Sequence, residues 1–181
     1  SGLLKTSISK KSDLRFELAE SLPSVQADVS QIRQVALNLI TNSAEAIGDN
    51  VGTITVRTCR QHCTAAMFAK MYLAEELSEG EYVVLEVVDS GEGMSAQTLE
   101  RIFDPFFTTK FTGRGLGLAA VLGIVRSHSA ALNVRSRPGT GTTFSIYLPA
   151  ESAEEEDEQP ETPAETPSRQ VQGEGTVLFT E

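Results

Sequence analysis

Cysteine is scarce: Cys59 and Cys63 are the two in 181 residues, too few for a disulfide framework. Around His62 they form Cys-x-x-His-Cys with no second ligand pair elsewhere, which reads as ordinary thiols in a reducing cytosol rather than a metal site. There is no run of about 18 apolar residues and no signal-peptide pattern, so the expectation is a cytoplasmic piece without membrane contact. Basic residues are in the minority, 15 against 25 acidic for a net charge of −10, which argues against a nucleic-acid groove binder. No internal repeat is visible. The Gly-Lys-Ser/Thr of the common phosphate loop is absent too.

What is present fits a globular chain. Hydrophobic residues make up 40%, and the length suits one domain with an appendage. The charge is unevenly spread. Residues 1–150 hold 15 acidic and 14 basic side chains, whereas 151–181 hold 10 acidic residues and one basic, Arg169. Residues 3–149 therefore read as the folded domain. Residues 150–173, rich in Glu, Pro and Thr, read as a solvated linker without fixed structure.

Alternation of apolar and polar residues predicts strands at Leu3–Ser9 and Leu14–Leu18. Asp28, with Gln31 three residues on as a capping box, opens a helix expected to close at Gly48. Gly52–Thr58 is β-branched and predicts a strand. Ala65–Leu77 allows a short helix inside a long connection. Tyr82–Val88 is nearly all apolar, hence a central strand buried on both faces. Ser95 caps a short helix ending near Phe103, residues 104–114 read as a loop, and Leu116–Ser127 is helical again. Leu132–Ser136 and Thr143–Leu148 pair as a hairpin through Pro138–Gly141. This rhythm predicts an α+β fold, a mixed sheet with helices on one face.

Three clusters carry chemistry. On the first helix Gln31, Gln34, Asn38, Asn42 and Glu45 form a polar stripe beside the apolar arc of Ile32, Val35, Leu39, Ile40 and Ser43. Asn38 and Asn42, one turn apart, offer neutral oxygen ligands to a hard cation such as Mg2+, or simply a solvated polar face. The buried strand delivers Asp89, followed by Gly91, Gly93 and Met94. A carboxylate there can accept from an exocyclic amine, and the glycines let backbone approach a ring; a plain Asp-Ser-Gly turn is the alternative. Gly113-Arg114-Gly115-Leu116-Gly117-Leu118 opens the last helix, where backbone N–H groups and the dipole favour phosphate, with Lys110 and Arg114 adding charge.

Taken in order, Asn38–Asn42, Asp89-x-Gly91-x-Gly93, Ile102–Lys110, Gly113-x-Gly115-x-Gly117 and Gly139-x-Gly141-Thr142 resemble the N, G1, F, G2 and terminal glycine boxes of the sensor histidine kinase ATP-binding domain, within the superfamily shared with gyrase, Hsp90 and MutL. The resemblance implies a two-layer α/β sandwich of the Bergerat type, with five strands in a mixed sheet and three main helices on one face. It further implies that Asp89 binds the adenine amine with Thr142 supporting it through water. Gly91, Gly93, Met94, Phe107 and Thr108 would line the nucleotide, Asn42 and Asn38 would hold Mg2+, and Gly113–Leu118 with Lys110 would wrap the triphosphate.

Gyrase-like relatives carry a glutamate at the position of Asn38, as a base for water. An amide cannot take that proton, which favours phosphoryl transfer over hydrolysis. The implied acceptor is a histidine on a dimerisation domain outside these residues, with a response regulator or receiver domain downstream. His62 and His128 lack the acceptor context and read as surface or packing residues. A hydrolysing ATPase and a degenerate nucleotide-binding regulator are the alternatives. Relatives often have a basic residue near Glu45 and two glycines at Ser129-Ala130; residues 59–80 fit the pattern poorly. Residues 174–181 resemble the first strand of a receiver domain, as in a hybrid kinase.

Overall fold

The computed structural model describes residues 12–109 and 115–151. The predicted strand at Leu3–Ser9, the residues Lys110, Gly113 and Arg114, the acidic linker beyond Glu151 and the receiver-like end lie outside the described residues.

Five strands form one sheet in the order β1-β2-β3-β5-β4. They are β1 (Ser12–Leu18), β2 (Gly52–Cys63), β3 (Gly80–Asp89), β4 (Ala131–Arg137) and β5 (Gly141–Pro149). β1 runs parallel to β2, and every other neighbouring pair is antiparallel. The sheet is therefore mixed, and the apolar run of β3 lies at its centre.

Helix α1 (Val29–Ile47) makes the crossover from β1 to β2. Asp28 caps it by accepting from the backbone N–H groups of Ser30 and Gln31, and Gly48 ends it with φ at 61°. The return half of the expected capping box is absent. The Asp28 N–H is instead bound by His128 Nε2 at 3.1 Å, while His128 Nδ1 pairs with the Ile124 carbonyl at 2.8 Å. The imidazole thus carries its proton on Nδ1 and fastens the end of α4 (Gly117–Ser127) to the start of α1. The hydroxyl of Ser30, then the two backbone donors, hold the Asp28 carboxyl below its ordinary range.

Three expected boundaries change by more than two residues. β2 continues five residues past Thr58 because Cys59–Cys63 pair with Val84–Gly80, and Glu81 binds both Arg60 and His62 across the ladder. Ala65–Leu77 yields one helical turn, α2 (Ala65–Phe68). The helix capped by Ser95 is also a single turn, α3 (Ala96–Leu99), followed by turns through Phe103.

The main core lies between the sheet and α1, α3 and α4. Val35, Leu39, Ile54, Val87, Val121, Val125 and Ile146 are its fully buried centre. The three helices expected on one face are these, with α3 reduced to its one turn. A second, smaller cluster sits on the reverse face, where Phe68, Met67, Met71 and Leu77 cover Cys63, Tyr82, Val84 and Tyr147. Leu73 of the same connection exchanges two backbone hydrogen bonds with Leu132 and extends the sheet past β4. Burial raises both the Cys59 and Cys63 thiols, and no cluster of three metal-ligating side chains exists among the described residues.

Candidate functional site

Side chains alternate along β3, so Leu85, Val87 and Asp89 form one row facing the helices. The first two enter the core. Asp89, 5% exposed, ends the row in the wall of a cavity of about 270 Å3. A buried carboxylate needs donors, and here three segments supply them. Its Oδ1 accepts from the backbone N–H of Gly91 at 2.9 Å and of Thr142 at 3.2 Å, and its Oδ2 accepts from Ser43 Oγ at 3.1 Å. Behind it, Ser136 Oγ accepts from Met94 N at 2.8 Å and pairs with Thr142 Oγ1 at 2.9 Å.

The loop after Asp89 is clamped to the β4–β5 hairpin. Gly93 has φ at 64°, and a Cβ there would stand 2.0 Å from the Arg137 carbonyl oxygen. A Cβ on Gly141 would stand 1.9 Å from the carbonyl oxygen of Asp89 itself. Both glycines thus let protein backbone approach protein backbone, for Gly93 a demand besides the ligand approach expected from sequence. Gly91 lies against Ala46 and donates its N–H to Asp89, behind the residues that line the cavity.

The other wall is α1 and the start of α4. Asn38 and Asn42 line the cavity together with Thr41 and Glu45. Asn38 Nδ2 donates to the Gly117 carbonyl at 3.4 Å, bringing the amide stripe to the first turn of α4. That turn has no side-chain cap, and a helix N-terminus leaves backbone N–H groups without helical partners. Gly115, Leu116 and Leu118 also line the cavity. Gly115 packs on the Phe106–Phe107 turn, where Phe106 N donates to its carbonyl at 2.9 Å. Phe107, stacked under the Arg101 guanidinium at 4.4 Å, and Thr108 complete this side.

The structure thus brings together Asn38, Asn42, Asp89, Gly93, Met94, Phe107, Thr108, Gly115, Leu116, Gly117, Leu118 and Thr142. Sequence reasoning missed Thr98, Ile102 and Phe144, apolar or small residues that line the cavity, and Ser136. Ser136 faces Thr142 across the hairpin, a pairing visible only once the register is known. Among the described lining residues the charged groups are Glu45, Asp89 and Glu92, with no lysine or arginine. One end is apolar with a fixed acceptor, and the other offers amides and helix N–H groups. That division suits a flat base with an amine at one end and an anion at the other.

Comparison with known proteins agrees. Residues 27–152 match the family described as "Histidine kinase-, DNA gyrase B-, and HSP90-like ATPase". Sensor kinase CckA of Brucella abortus is 42% identical over 149 residues, covering 81% of this chain and 15% of that protein. Sensor histidine kinase ZraS of Escherichia coli is 40% identical over 141 residues, covering 78% of this chain and 26% of the other. The catalytic domain of histidine kinase ThkA, solved without nucleotide, superposes with a TM-score of 0.59 at 28% identity, over 82% of this chain and 83% of that one. The chain spans about a quarter or less of the full-length relatives it matches. Fold, cavity and relatives converge: the chain belongs to the histidine kinase-, DNA gyrase B- and HSP90-like ATPase family, as an ATP-binding catalytic domain of the histidine kinase type.

Proposed function

We propose that this domain binds Mg-ATP and delivers the γ-phosphoryl group to a histidine on a dimerisation domain outside the described residues, for relay to a response regulator or receiver domain. The observation that carries the reading is the polarity of this cavity, with Asp89 at its apolar end and Asn38, Asn42 and the α4 N-terminus at the other. The Asp89 carboxylate accepts from the exocyclic amine of adenine, and Thr142, held by Ser136, supports the same edge.

Asn38 and Asn42 fit a magnesium ion, because neutral amide oxygens suit a hard cation that keeps most of its water. When bound, the metal neutralises phosphate charge. Lys110 and Arg114, with Gly113, are assigned to the phosphates on the glycine-rich pattern. Phosphoryl transfer needs positioning and charge neutralisation more than covalent chemistry. At the place of a water-activating base stands Asn38, whose amide cannot accept a proton, so transfer is favoured over hydrolysis. A cytoplasmic location follows from this role.

Titration of the purified chain with ATP and Mg2+ tests the reading: saturable binding is expected, and none at millimolar nucleotide overturns it. Asp89→Ala is expected to abolish adenine recognition. Mixed with the cognate dimerisation domain and labelled ATP, the chain is expected to yield phosphohistidine. Steady-state phosphate release by the chain alone would instead indicate a hydrolase.

A further inference from the structure

Ser43 is the one hydroxyl side chain of α1 that lies in the core, 1% exposed among Leu39, Ile40, Ala44 and Ile47. Alanine would fill such a position at lower cost, since a hydroxyl taken from water needs a partner. The partner is Asp89 Oδ2, at 3.1 Å. The two backbone donors, Gly91 N and Thr142 N, both bind the other oxygen, Oδ1. A carboxylate held through one oxygen can still turn, because its terminal torsion is broad. Ser43 supplies a hold on the other oxygen, Oδ2. Each carboxylate oxygen offers two lone-pair directions; with Ser43 on one of those of Oδ2, the group has a single orientation in the cavity wall.

We propose that Ser43 is a specificity-determining positioning residue, which holds Asp89 aimed at the exocyclic amine and so sets the preference for a 6-aminopurine nucleotide. The inference rests on the reading of Asp89 as the group that recognises the base. It also explains why a hydroxyl occupies the helix position next to Asn42: the base end and the phosphate end of the cavity are referenced to one turn of α1.

The test compares ATP with purine riboside triphosphate, which has hydrogen in place of the amine, by calorimetric titration of the full chain. The wild type is expected to prefer ATP, and Ser43→Ala to lose about tenfold in ATP affinity while binding the analogue almost as before, so that the preference collapses. Ser43→Thr keeps the donor and is expected to retain the preference; thermal melts confirm that each variant is folded. A wild-type preference that survives undiminished in Ser43→Ala overturns the inference alone, as does its loss in a Ser43→Thr chain that melts like the wild type. Equal binding of both nucleotides by the wild type overturns the role of Asp89 and this inference with it.

Discussion

The two faces of the sheet are built on different terms. The helix-covered face buries a continuous core, and the cavity opens where that core ends at Asp89. The reverse face has a small cluster around Phe68 and Tyr82 beneath the β2–β3 connection, and elsewhere carries ion pairs, Arg57 with Glu17 and Arg135 with Glu86. One face thus couples stability to ligand geometry, whereas the other contributes stability alone. Substitutions on the first are expected to move folding and binding together, and those on the second to move folding only.

The sharpest way to break this contrast is Gly141→Ala, whose new Cβ has no room beside the Asp89 carbonyl. It is expected to cost more than about 3 kcal/mol in denaturant melts and to abolish nucleotide binding. Next come two truncations of buried side chains, Leu39→Ala on the helix face and Phe68→Ala on the reverse. A cost of about 3 kcal/mol is expected for each, and nucleotide titration separates them, because the reverse-face variant keeps its affinity.

Acid titration gives a smaller effect. Because hydrogen bonds hold the Asp28 carboxyl below its ordinary range, its contribution is present above the unfolded value and lost as pH falls through the folded one. Asp28→Asn caps without titrating. The melting temperature of the wild type is therefore expected to fall further than that of the variant on acidification. Arg135→Ala, on the exposed ion pair with Glu86, is expected to change stability by less than about 0.5 kcal/mol and binding not at all. An appreciable loss of affinity there would show that the faces communicate.

The same division governs what could be read from the sequence. Local chemistry announced α1, because Asp28, Gly48 and the helical apolar period act within the element. It announced β3 and its terminal Asp89 in the same way. The extension of β2 through Cys63 was hidden, since polar residues such as Arg60 and His62 become strand only through Glu81 on the neighbour. Residues 64–79 were illegible for a related reason. Their path is set by tertiary contacts, Leu73 on Leu132 and the Tyr72 ring on Phe103 at 4.5 Å, and not by periodicity. In the site, the motif residues stood out by type. Ser43 instead looked like one more core-facing position, and Ser136 gained meaning from a hairpin register no local pattern encodes.

Three of the donors on Asp89, from Ser43, Gly91 and Thr142, bear on biogenesis. Gly91 is local, but Ser43 is 46 residues upstream and Thr142 is 53 downstream. A nascent chain therefore cannot assemble this carboxylate site while β5 is still inside the ribosome, however well α1 and β3 have already associated. At roughly 5–20 residues per second of synthesis, the domain spends seconds with its earlier elements exposed and the Asp89 cluster incomplete. The cluster closes late, when β5 brings Thr142 to Asp89.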